Sequence, residues 1–264
     1  MASDSIGKPV LPPLLRVGDF EPSEADKVSF EYELAELVWG HIASQRIYPR
    51  SDRVAVKTYA PRRANGDFVA TTYGPAGELR VLVGDMTGRG LAAAIAAQPV
   101  VDLFHSNASG EASGPDLLRT MNAEIRKILP PGYFCAGALL ELSDNDSRFS
   151  VWNCGLPDIW LTSETGAHRR FSSQHPPLGV LSETDLQGLG AHGSRGNGQN
   201  FIFATDGIIK ARGLKGAPYG ESGLNQSVRL LHASSGLAEA LHKDVMEFCW
   251  PKLPEDDATI VVVA

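Results

Sequence analysis

The sequence predicts an α/β chain of the α+β kind, with two mainly antiparallel sheets flanked by pairs of helices. Three observations carry this. Eight short β-like runs share the chain with four helical stretches, the runs come mostly as neighbours across glycine-containing turns such as Gly74–Gly77 and Thr165-Gly166, and the helices fall in two sequence-adjacent pairs. Short turns join antiparallel strands, whereas parallel strands need long crossovers. A pair of sheets sandwiched between helix pairs lets every element cover its apolar face with another layer.

Residues 1–28 mix prolines with small and polar residues without periodicity and read as a linker or tail. From Phe30 the apolar residues Leu34, Leu37, Val38 and Ile42 recur at three- and four-residue spacing. That predicts an amphipathic helix within residues 29–48, ending before Pro49. Residues 50–264 form the main domain. Its expected strands are Val54–Tyr59, Asp67–Tyr73, Leu79–Val83, Cys135–Leu142, Phe149–Trp152, Asp158–Thr162, Phe201–Ala204 and Thr259–Val263. Its expected helices are Leu91–Ser106, Pro115–Leu129, Ser222–His232 and Leu237–Phe248. The glycine-rich stretch Gly188–Gly198 reads as a loop.

Composition narrows the function. At 264 residues, 43% of them hydrophobic, the chain can bury one large core or two modest ones. No apolar run approaches the roughly 20 residues of a membrane span, and the N-terminal residues lack the blocks of a secretion signal, so a soluble cytoplasmic protein with no membrane partner is expected. The 24 Lys and Arg against 31 Asp and Glu give a formal charge of -7 with no basic stripe, which argues against a nucleic-acid partner. Cys135, Cys154 and Cys249 are odd in number and lack CxxC spacing, so buried thiols are expected rather than a disulfide framework or zinc site.

Acids stand where strands meet loops. Leu79–Val83 runs into Gly84-Asp85, Phe201–Ala204 runs into Thr205-Asp206-Gly207, Asp256-Asp257 precedes the last strand, and Asp67 opens its own strand after Asn65-Gly66. Any one of these is an ordinary turn former or cap. Gathered at one sheet edge they would repel, and burial would protonate them unless cations hold them charged. An oxygen-only donor set favours a hard ion, Mg2+ or Mn2+, over zinc or copper. Two such ions activate a water and offset phosphoryl charge, which points to phosphate ester hydrolysis.

Four motifs in order carry a resemblance: Asn65-Gly66-Asp67-Phe68, then Val83-Gly84-Asp85-Met86-Thr87-Gly88-Arg89-Gly90, then Ala204-Thr205-Asp206-Gly207, then Asp256-Asp257-Ala258-Thr259. With softer matches at Met121-Asn122, Asn153–Pro157, Pro177-Leu178-Gly179 and Tyr219-Gly220, the sequence resembles the PP2C-like (PPM) phosphatases, specifically their bacterial SpoIIE/RsbU-type branch. The resemblance implies the PP2C-like αββα sandwich and a metal-dependent serine/threonine protein phosphatase using two Mn2+ or Mg2+ ions. It implies that Asp85 bridges the ions, that the Met86 carbonyl adds a ligand, that Asp67 positions metals or waters, and that Asp206 and Asp256 ligate the second ion, with Asp257 the lesser candidate. It further implies a phosphorylated protein substrate, such as a STAS-domain anti-sigma-factor antagonist, and signal transduction toward sigma-factor regulation.

Departures from the family pattern bear on activity. The second acid of the first motif is replaced by Ala70, Arg89 stands for the usual histidine, Leu156 follows Gly155 where histidine is usual, and Lys210 stands where an acid often follows. Arg89 contacts a substrate phosphate or is a solvated arginine at a helix start. Lys210 assists phosphate binding or weakens metal affinity by repulsion, or is a plain surface lysine. The alternative to an enzyme is a pseudophosphatase, a partner-binding regulatory module; a hydrolase of a small phosphorylated metabolite has less in its favour, since no ligand pocket can be read. In related proteins the preceding helix links to an upstream sensor or receiver domain, so residues 29–48 are expected to mediate a homodimer or transmit such a signal, or simply to pack on the core.

Overall fold

The computed structural model describes residues 24–46, 51–62, 64–145, 147–162, 168–182 and 190–264. Residues 1–23 of the tail, the helix stop near Pro49, the Thr165-Gly166 turn and the start of the glycine-rich stretch lie outside these. The chain divides into a short unit, residues 1–34, and a main unit, residues 35–264.

The main unit holds two five-stranded sheets. One has the order β1 (Val54–Tyr59), β10 (Ala258–Val263), β9 (Phe201–Ala204), β6 (Ile159–Thr162), β7 (His168–Phe171); the other has β2 (Asp67–Tyr73), β3 (Leu79–Met86), β4 (Cys135–Leu142), β5 (Arg148–Cys154), β8 (Ala191–Ser194). Every pairing between these strands is antiparallel.

Side-chain alternation along each strand sorts the core into three layers. Val81 and Val83 of β3, Leu140 of β4, Phe201 and Phe203 of β9, and Val261 and Val263 of β10 meet between the sheets. Their neighbours Leu82 and Leu139 face the other way, onto α2 (Gly90–Asn107) and α3 (Gly114–Ile128) through Val100, Phe104, Leu117 and Met121. Ile202, Ile260 and Val262 likewise meet α5 (Gly220–Leu231) and α6 (Leu237–Cys249) through Leu224, Val228, Leu241 and Val245. Because helices cover the outer faces, β9 and β10 are apolar at nearly every position instead of alternating with polar residues. The layering is the αββα sandwich expected, and all three cysteines are buried without a disulfide.

Four elements differ from the sequence reading. Helix α1 (Glu24–Arg46) starts inside the stretch read as tail, and its apolar residues do not form one stripe. Phe30, Leu34, Leu37 and Val38 lie toward one side and Val28, Tyr32 and Trp39 toward another; Val28, Phe30, Leu34, Leu37 and Val38 are exposed, while Trp39 is partly buried against the α2–α3 core. Part of the glycine-rich loop is the edge strand β8, hydrogen-bonded to β5. Its glycine hid it: a Cβ on Gly193 would come within 2.8 Å of the Phe149 ring, so the packing partner is on the other strand. Strand β7 carries two arginines and no apolar alternation; Arg169 lies over the Phe171 ring and Arg170 over Trp160. Charged edge strands of this kind discourage pairing with another chain. Helix α4 (Asp206–Lys210) is too short for periodicity to reveal.

A buried arginine joins the helices to the sheet. Arg80 of β3 donates through Nη1 to the Ala108 carbonyl and through Nη2 to the Ala112 carbonyl, both at 2.8 Å, and pairs with Glu78 at 2.9 Å and Glu141 at 3.0 Å. It therefore ties the α2–α3 connection to β3, and burial holds the Glu141 carboxyl above its ordinary range against the pull of Arg80. Arg80→Ala strands two acids and several carbonyls, and should cost about 3–5 kcal/mol, read as a lower urea midpoint at unchanged slope.

Candidate metal centre

The acids named from sequence meet at one end of the two sheets. Asp67 opens β2 directly opposite Asp85 near the end of β3. The next residue, Met86, donates its N–H to the Gly66 carbonyl at 3.2 Å, while the Gly66 N–H donates to Asp257 Oδ2 at 2.9 Å. Gly66 thus connects the first motif to the second and the last. A side chain there would meet Ala93 and the Met86 carbonyl at 3.0 and 3.2 Å, which explains the glycine.

The other sheet supplies the remaining acids. Strand β9 is followed by Thr205, whose N–H donates to the Thr259 carbonyl at 3.0 Å. The Thr205 hydroxyl donates to Asp67 Oδ2 at 2.8 Å and accepts from the Thr259 N–H at 3.0 Å. One threonine therefore joins the two sheets at the acid cluster. Asp206 follows as the first residue of α4, and Gly207 lets α4 approach the last motif: a Cβ there would sit 1.9 Å from the Asp257 carbonyl oxygen.

Burial and like charge shape the electrostatics. Burial, then the neighbouring Asp85, push Asp67 well above the usual carboxylate range, although the threonine hydrogen bonds pull it down. Burial, then Asp206, Asp256 and Asp257, push Asp85 up to about 7, with Lys210 opposing. Asp257 rises to about 6 through burial, against the Gly66 N–H bond. Two cations answer this charge. Arg89 places Nε and Nη2 at 3.1 and 2.8 Å from Asp256 Oδ2, and Lys210 pairs with Asp206. Arg89 is extended between Gly88 and Gly90, both with positive φ, so the turn into α2 presents its side chain toward Asp256.

Asp67, Asp85, Asp206, Asp256 and Asp257 are thus neighbours, with the Met86 backbone beside them. Among the described residues no group of three or more His, Cys, Asp or Glu side chains is arranged so that it could hold a metal ion as it stands. The donor chemistry nonetheless suits a hard divalent ion: the donors are all oxygen, and burial followed by mutual repulsion raises carboxyls that a cation would hold charged. Thr205, Thr259 and the two glycines acquired no role from sequence. Their only signal was membership of the same motifs, since a threonine that positions an acid across sheets has no local pattern.

The frame and the cluster at its end define the class of PP2C-like phosphatase domains. Residues 75–264 match the family model for stage II sporulation protein E (SpoIIE), and the chain belongs to that family. No sequence among the curated proteins matches significantly. The fold is similar to the SiaA-PP2C domain of Pseudomonas aeruginosa, with a TM-score of 0.71 at 14% identity over 90% of this chain and 96% of that one. It is similar also to the PP2C phosphatase domain, with a fragment of the regulatory domain, of SpoIIE from Bacillus subtilis, with a TM-score of 0.67 at 17% identity over 81% of this chain and 63% of that one. RsbX in complex with magnesium matches with a TM-score of 0.57 at 15% identity over 79% of this chain and 92% of that one.

Removing one buried charge should relieve the cluster. Asp85→Asn is expected to raise the thermal midpoint in chelator by about 2–4 °C, for about 1 kcal/mol of relieved repulsion, and to remove any rise that manganese produces in the unaltered protein. Scanning fluorimetry with and without the ion checks both.

Proposed function

We propose that the chain is a divalent-metal-dependent serine/threonine protein phosphatase. The observation that carries this is the placement of Asp67 opposite Asp85 with Asp206 and Asp256 beside them, in a site where Asp85 is raised by burial and its neighbours. Asp85, the Met86 carbonyl, Asp206 and Asp256 would hold Mn2+ or Mg2+ ions, two by the family resemblance, with Asp67 as a positioning acid and Asp257 as the lesser candidate. Bound ions would supply a nucleophile at neutral pH and offset charge on the phosphoryl oxygens. Thr205 keeps Asp67 oriented, and the two glycines keep the motif backbones close enough for their acids to act together.

A phosphorylated regulatory protein, with a STAS-domain anti-sigma-factor antagonist as first choice, is the substrate that family membership favours, in a cytoplasmic setting. The membership of a SpoIIE structure that includes part of a regulatory domain among the similar folds supports an upstream sensor or receiver domain acting through α1. Among the described residues no helix is long and apolar enough to cross a membrane. One observation favours a second reading, a pseudophosphatase that binds a partner without catalysis: Arg89 and Lys210 occupy carboxylates that ions would need.

Hydrolysis of p-nitrophenyl phosphate with manganese, magnesium or chelator separates the two. Manganese-dependent turnover that Asp85→Asn and Asp206→Asn abolish supports the enzyme; none with any ion, in folded protein, supports the second reading. Arg89→Ala should reduce turnover about tenfold to a hundredfold if one phosphate contact of about 1.5–3 kcal/mol is lost. For α1, Phe30→Glu/Leu34→Glu/Leu37→Glu should convert a dimer to a monomer by light scattering; equal masses for both proteins would reject the dimer.

A further inference from the structure

Beside the acid cluster lies a pocket of about 300 Å3 whose lining includes Arg89, Lys210, Arg212 and Lys252, with Leu214 and Leu253 among its apolar residues. Four cations around one pocket reverse the sign of a chain whose formal charge is -7. Arg89 and Lys210 are already paired with Asp256 and Asp206. Arg212 spends one donor on the Gly216 carbonyl at 2.8 Å, and neither it nor Lys252 pairs with an acid among the described residues. Glu255 and Asp256 are the opposing charges on the lining. The inner pair of cations thus balances the metal-site acids, and the outer pair is left for something else.

The pocket is also preformed. Gly213 N–H donates to the Ala217 carbonyl at 2.9 Å and Tyr219 N–H to the Ala211 carbonyl at 2.7 Å, which folds residues 211–219 back on themselves. Tyr219 then packs edge-on against Phe248 of α6, and on the facing loop Lys252 N–H donates to the Cys249 carbonyl at 2.9 Å. Leu214 is 70% exposed and Leu253 44%, so two apolar side chains stand at the same pocket as the two cations.

We propose that this pocket docks the segment flanking the phosphorylated residue of a protein substrate, and that the segment is acidic, with an apolar residue among its acids. The proposal rests on the phosphatase reading. With the phosphoryl group at the Asp256 end, acids along the segment meet Arg212 and Lys252, and its apolar residue lies on Leu214 and Leu253. Charge complementarity of this kind steers encounter and selects among segments more than it adds raw affinity.

The test uses two labelled peptides in which a phosphonate replaces the phosphoserine, one flanked by Asp, Glu and Leu and the other by Lys and Leu, titrated with the whole chain and manganese and read by fluorescence anisotropy. The acidic peptide should bind about tenfold tighter, as one or two charge-assisted contacts would give. Arg212→Glu/Lys252→Glu should abolish or invert that preference, and retained binding of the lysine-flanked peptide shows that the variant is folded. Equal binding of the two peptides by the unaltered chain, no binding of the acidic one, or a preference that survives charge reversal would overturn the proposal. Failure of p-nitrophenyl phosphate hydrolysis would instead count against the enzyme reading, because the anisotropy assay needs no turnover.

Discussion

Carboxylates brought side by side resist burial, and much of the main unit is arranged to hold them there anyway. The two sheets each contribute acids from strand ends, and the Thr205 hydroxyl fastens one set to the other through Asp67. The cost of the arrangement is visible in Asp67 and Asp85, both pushed upward by burial and by like charge. Folding energy from three apolar layers offsets that repulsion, since the strands beneath the acids are buried on both faces. Strain of this sort persists where the surrounding structure over-determines it, and is a mark of functional sites.

Cations complete the arrangement in two tiers. Arg89 and Lys210 sit on the rim and pair with Asp256 and Asp206. Exposed pairs of this kind contribute little stability, so their interest lies in what they offer or deny to an ion or a phosphate. Arg212 and Lys252 line the same pocket, without acid partners among the described residues. The softer motif matches have a different explanation, because they tether loops. Asn122 accepts from the Gly179 N–H at 2.8 Å and donates to the Leu181 carbonyl at 3.0 Å, and Asn153 donates to the carbonyls of Leu156, Pro157 and Phe171. Both asparagines give loop backbone groups the partners that burial demands.

Much of this was legible in the chain itself. The long apolar strands and the two helix pairs declared their type through periodicity and length, and four ordered motifs placed the acids at strand ends. Legibility failed for short or unpatterned elements. Strand β8 contains a glycine whose missing side chain is replaced by Phe149 from β5, strand β7 presents arginines, and α4 has five residues. For α1, three- and four-residue spacing suggested a single stripe where the helix carries apolar residues on two sides.

By itself the sequence determined the layer architecture and which acids stand where strands meet loops, because these follow from periodicity and from residue types fixed within short motifs. Only the tertiary structure decided how the acids are held and opposed. The register that sets Asp67 against Asp85, the threonine that crosses between sheets, the glycines that admit a neighbouring backbone and the four cations converging on one pocket all join residues far apart in the chain. Their physical cause is the packing of two sheets against each other, which local pattern does not encode.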